Sequence, residues 1–123
     1  MTPNNIYRTS ALATGVFALA LLSGCAHPPE TLYYWGEYQP VVYAHFNQGQ
    51  TPEEQIQALE ADVEKARAAN KPLPPGEQAH LGLLYGLAGQ TDRMRAQLVE
   101  EKTRFPESGF YIDFLLKNST KSK

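Results

Sequence analysis

The chain is 123 residues long, carries a formal charge of −2 and scatters 11 Lys/Arg among 13 Asp/Glu. One small domain fits in that length, and the interspersed charges give no basic face for a nucleic acid. A single cysteine excludes a disulfide within the chain, and the histidines His27, His45 and His80 show no metal-ligand spacing with it or with each other.

The first 24 residues read as a targeting segment. Arg8 and the amino terminus form a weakly positive n-region, followed from Ala11 to Leu22 by an apolar run of h-region length. A membrane-spanning helix needs roughly 20 apolar residues, more than this run supplies. Leu22-Ser23-Gly24-Cys25 at its end resembles the lipobox of bacterial lipoproteins. The resemblance implies cleavage between Gly24 and Cys25, a diacylglyceryl group on the Cys25 thiol, and acylation of the new amino terminus with palmitate or a similar chain. Each buried methylene adds about 0.8 kcal/mol of membrane affinity, so three chains make release negligible. Ala26 stands where some bacteria read an aspartate as an inner-membrane retention signal. The expected address is therefore the outer membrane, with the domain facing the periplasm. The plainer alternative makes Cys25 an ordinary small residue just past a secretory signal. Loss of the leader removes Arg8, leaving ten Lys/Arg against thirteen Asp/Glu and a charge of −3.

Residues 25–31 form a short tether, kept extended by Pro28 and Pro29. A helical domain over 32–117 follows. It opens on the densest aromatic stretch of the chain, from Leu32 to Phe46, with Tyr33, Tyr34, Trp35 and Tyr38 as candidate partner-binding residues. Three readings stand for this stretch, and they can overlap. It packs across the helices as a lid on a small core, it offers an exposed Tyr/Trp surface to a partner protein, or it dips into lipid headgroups beside the anchor. A short helix is expected around Val41 to Phe46.

Thr51-Pro52-Glu53-Glu54 has the chemistry of a helix start, with a capping box between Thr51 and Glu54 and Pro52 in the first helical position. Ile56, Leu59, Val63 and Ala66 then mark one apolar stripe of a helix over 52–69, with Glu53, Glu60, Glu64, Lys65 and Arg67 on its other faces. Asn70 and Pro72 end it. A second helix is expected over 77–88, carrying Leu81, Leu84 and Tyr85, with Gly82 and Gly86 allowing close approach of a neighbour. Gly89 stops it and Thr91 is positioned to cap the next, which carries Met94, Leu98 and Phe105 before Pro106. A last helix spans about 109–117, and residues 118–123 read as a disordered basic tail.

Leu81-Gly82, Tyr85, Gly89, Leu98 and Pro106 resemble one tetratricopeptide unit, a helix-turn-helix pair of about 34 residues. Gln78 stands where that pattern has Trp, and Met94 and Glu101 replace two usual alanines. Only residues 75–108 match, while about three units are needed for such arrays to be stable. The resemblance thus implies an all-α domain built on one tetratricopeptide-like pair, with the flanking helices as caps. A wider resemblance rests on the lipobox, Leu32-Tyr33-Tyr34-Trp35-Gly36-x-Tyr38, the helix pair, and Phe105-Pro106-Glu107-Ser108 followed by Phe114-Leu115-Leu116. Together these look like small Gram-negative lipoproteins catalogued as a domain of unknown function. Such proteins are often encoded beside two other lipoproteins, one similar to the curli secretion channel. That resemblance implies a periplasm-facing accessory protein with other envelope lipoproteins as partners.

No residue set announces catalysis. Gly-x-Ser-x-Gly and phosphate-loop patterns are missing, and the carboxylate pairs Asp62/Glu64 and Glu100/Glu101 read as solvated helix faces. The expectation is a non-enzyme with no cofactor beyond the covalent lipid and no metal, acting through protein–protein contacts. The alternative is a periplasmic binder of a small ligand or peptide, with the aromatic segment closing over the helix pair.

Overall fold

The computed structural model describes residues 30–119, and every regular element among them is helical. The all-α expectation therefore holds. The leader, Gly24 and Cys25, most of the tether and residues 120–123 lie outside the described residues.

Helix α1 spans Tyr38–Asn47, a turn longer at its start than the sequence suggested. Pro40 falls in the first turn, where its missing N–H has no intrahelical partner to lose. Helix α2 spans Pro52–Ala68 and starts on the expected capping box. Glu54 N donates to Thr51 Oγ1 at 3.3 Å and Thr51 N donates to Glu54 Oε2 at 2.9 Å. It closes through Asn70, whose left-handed backbone (φ 51°) lets Lys71 N donate to Ala66 O and Asn70 N to Arg67 O.

Helix α3 spans Glu77–Leu87 and α4 spans Thr91–Arg104. The expected cap by Thr91 does not form. Gln90 takes the cap position without a side-chain hydrogen bond, because Gly89 and Gln90 already turn the chain through bonds to Gly86 O and Tyr85 O. After a 3-10 turn at Pro106–Ser108, α5 runs over Gly109–Ser119. Asn118 and Ser119, expected in the tail, are thus helical, and Ser119 Oγ donates to Leu116 O at 2.8 Å.

The helices pack in chain order, α1 on α2, α2 on α3, α3 on α4 and α4 on α5, with the α3–α4 contact the most extensive. A Cβ on Gly82 would stand 3.2 Å from both Leu98 Cγ and the Met94 carbonyl, so α4 crosses α3 closely enough that a side chain there would push Leu98 or the α4 backbone back by a few tenths of an ångström. Val41, Ile56, Leu59, Leu81, Leu84 and Tyr85 form one core cluster. Burying each such side chain contributes roughly 1.5–3 kcal/mol. Leu98 and Ile112 are also buried, on α4 and α5. No helix among the described residues is long and apolar enough to cross a membrane.

Candidate functional site

The aromatic segment begins as a strap. Tyr34 N donates to Pro72 O at 2.8 Å, and Lys71 Nζ donates to Thr31 O at 3.3 Å. On its other side the Tyr33 ring meets Phe105 with centroids 6.3 Å apart, and Trp35 at 6.4 Å. Residues 31–35 therefore cross from the joint between α2 and α3 to the end of α4. The four candidate contact residues do not share one surface. Tyr33 and Tyr34 are half-buried under the strap's own bonds, while Trp35 is 39% exposed. Tyr38 belongs to α1 and turns inward, toward His80 and the start of α3.

Beside the strap lies a cleft of about 610 Å³, within the size range of ligand sites. Arg67 and Lys71 border it from α2 and the turn after it, Arg104 and Gln97 from α4, and Gln78 from α3.

The first turn of α3 stands in a buried cluster that sequence reasoning missed. Asp62 and Glu101, read as members of solvated pairs, are 0% and 2% exposed. Each reaches from its own helix to cap another. Asp62 accepts from Glu37 N, the residue before α1. Glu101 accepts from Gly76 N at 2.7 Å and from Ala79 N at 3.4 Å, the open donors at the start of α3. Their former companions Glu64 and Glu100 do pair at the surface, with Arg67 and Arg104. The strap takes its turn at Gly36 (φ 37°), where any Cβ would overlap the Asp62 carboxylate.

Signals for these caps were present. Asp62 follows Leu59 and precedes Ala66 on the apolar stripe of α2, and Glu101 lies between Leu98 and Phe105 on that of α4. Neither α1 nor α3 has a side-chain cap from its own sequence, so partners had to come from elsewhere.

Burial drives the protonation states here. Glu77 is 1% exposed and neither carboxylate oxygen has a hydrogen-bond partner. Desolvation, then Asp62 and Glu101, push its pKa up to about 8, so it carries a proton at neutral pH. Asp62 is also raised by burial, against the opposing backbone hydrogen bond from Glu37. The Tyr38 hydroxyl is raised by burial and by Glu77 and Glu101. His80 moves the other way, down to about 4, through burial and then His45, whose ring centroid is 5.0 Å away. Far apart in sequence, these two histidines meet only in the fold. At the other end of α3 the Tyr85 hydroxyl donates to Glu60, which also pairs with Arg93. The Arg93 guanidinium lies 4.1 Å from the Tyr85 ring centroid.

Chemically, the cluster holds a proton and closes helix ends. Among the described residues no group of three or more His, Cys, Asp or Glu is arranged to hold a metal ion.

These features define a small all-α domain with a strap over one end and helices capped by each other's carboxylates. The chain belongs to the family described as a domain of unknown function (DUF4810), whose model matches residues 32–115. The matched stretch begins in the strap and includes both capping carboxylates. No curated protein and no solved structure matches the chain.

Proposed function

We propose that the protein is an outer-membrane lipoprotein, held by lipid on Cys25 with its domain facing the periplasm. It acts without catalysis as an accessory or assembly subunit of an envelope complex, with other envelope lipoproteins as partners. The anchoring half of this reading rests on the Leu22-Ser23-Gly24-Cys25 motif after its apolar run. The contact half rests on α5, where Phe110 is 92% exposed and Tyr111 and Phe114 lie open beside it. Large aromatics grouped on one open helix mark partner surfaces, because they bury much area at little entropic cost.

The α3–α4 pair reads as one tetratricopeptide-like unit, a reading supported by the close crossing at Gly82 and the buried Tyr85. On this reading its neighbours α2 and α5 serve as caps. A photo-crosslinker at Phe110 in the lipidated protein, activated in intact envelopes, is expected to capture a companion lipoprotein. Absence of any adduct from Phe110, Tyr111 and Phe114 alike would sink the assembly role. Cys25→Ala should abolish both acyl labelling and membrane retention.

A second reading, a binder of a small ligand or peptide, is favoured by the cleft between α2 and α4.

A further inference from the structure

The cleft carries chemistry that the accessory role leaves unused. Gln78 is only 6% exposed, and its Oε1 has no hydrogen-bond partner. The Oε1 of Gln97, on the same cleft, is likewise buried and unpartnered. Buried amide oxygens are nearly always paired, so two bordering one cleft, from α3 and from α4, call for a ligand that brings hydroxyl or amide donors. Arg67, Lys71 and Arg104 line the same space against a single carboxylate, Glu100. The two arginines are held only by surface pairs, Arg67 with Glu64 at 2.9 Å and Arg104 with Glu100 at 2.8 Å. Exposed pairs of this kind contribute little and exchange readily, and guanidinium suits a phosphate bidentately. The complementary ligand is a hydroxylated phosphate.

The strap points to its source. Its bonds to Lys71 and Pro72 place its first residues at the rim of the cleft. Along it, Leu32 is 73% exposed and Trp35 is open, side chains suited to the headgroup level of a bilayer. Cys25 is six residues before Thr31, so at full extension about 20 Å of chain separates the strap from the anchoring position. A chain of net negative charge has no general attraction to an anionic surface, so any preference for one must come from a local site.

We propose that the cleft binds the phosphoglycerol headgroup of an anionic lipid in the membrane that holds the chain. Arg67, Lys71 and Arg104 take the phosphate, and the glycerol hydroxyls donate to Gln78 and Gln97. Leu32 and Trp35 enter the headgroup layer. The lipid source rests on the anchored reading above, whereas the ligand chemistry rests on the cleft alone.

Trp35 is the only tryptophan, so its fluorescence reports on the strap directly. The lipidated protein is reconstituted into phosphatidylcholine vesicles and into vesicles containing phosphatidylglycerol, with flotation as the measure of anchoring. The protein should float with both, while Trp35 emission moves to the blue and is quenched by brominated acyl chains only with phosphatidylglycerol. Arg67→Gln combined with Arg104→Gln should weaken that preference about 30-fold, the equivalent of about 1 kcal/mol for each arginine. Both arginines make only surface pairs, so the fold persists in that variant. Lys102→Gln, which alters a cation paired with Asp113 away from the cleft, should leave the preference intact.

Floating with identical Trp35 emission in both vesicles overturns the headgroup site and leaves the anchor standing. Failure to float even with neutral vesicles overturns the anchor instead. A response to free sn-glycerol 3-phosphate equal to that with anionic vesicles reassigns the cleft to a soluble phosphate and ends the lipid assignment. Equal loss in Lys102→Gln and in the double arginine variant reduces the effect to general charge.

Discussion

The two ends of α3 rest on different physics. Toward its C-terminus, Leu81, Leu84 and Tyr85 meet Val41, Ile56 and Leu59 in an apolar cluster. In its first turn, Glu77 and His80 lie among Asp62, Glu101, Tyr38 and His45, with several polar atoms left unpaired. Burying apolar surface is favourable at any pH, whereas burying carboxyl and imidazole groups is unfavourable unless they pair or stay neutral. Stability is therefore contributed at one end, while the other end fixes helix starts and makes stability depend on pH.

The largest break in this contrast comes from the apolar end. Leu84→Ala should lose about 2–5 kcal/mol in urea unfolding, from lost burial and the cavity left behind. A loss near zero would mean that Leu84 is not part of a packed core. Next is Glu101→Ala, which strips the acceptor from Gly76 N and Ala79 N and should lose about 1–3 kcal/mol. If its melting point matches the parent's, the carboxylate does not act as a cap.

The pH dependence sharpens the comparison further. In the unfolded chain Glu77 releases its proton near its ordinary 4.5, but in the fold it keeps it to about 8. The folded state binds more protons between those values, so Glu77 makes stability fall as pH rises through that window. His80 stays neutral in the fold down to about 4 but protonates below 6.5 when unfolded, so it makes stability fall as pH drops from 6.5 toward 4. The two slopes oppose each other between about 4.5 and 6.5, and the net loss should appear from about 6.5 to 8. Asp62, raised by burial, acts in the same direction as Glu77. Thermal melts should show this alkaline decline, and Glu77→Gln should flatten it. An unchanged profile in that variant would move the proton to another group. The smallest effect belongs outside both ends. Arg67→Ala removes an exposed pair with Glu64 and should change stability by less than about 0.5 kcal/mol.

Much of the helical frame was legible in the chain. The Thr51/Glu54 capping box and the stripe through Ile56, Leu59 and Ala66 follow from local hydrogen bonding and the 3.6-residue period. So does the close crossing at Gly82, because a missing side chain removes a steric barrier wherever the neighbour lies. The start of α1 was less legible, since Pro40 reads as a breaker until it falls in a first turn. The carboxylates were misread for a similar reason. Next to Glu64 and Glu100, Asp62 and Glu101 looked like members of charged faces, and only their place on the apolar stripes hinted otherwise.

Composition, periodicity and capping chemistry by themselves determined an all-helical domain over the described residues and the apolar residues at its centre, because those depend on residues a turn or two apart. The tertiary structure alone decided which carboxylate caps which helix, that His45 meets His80, and that the aromatic run becomes a strap with Tyr38 turned in and Trp35 turned out. Each of those pairs residues many positions apart, and the cost of leaving a buried N–H or charge unmatched is settled only when separate helices come together.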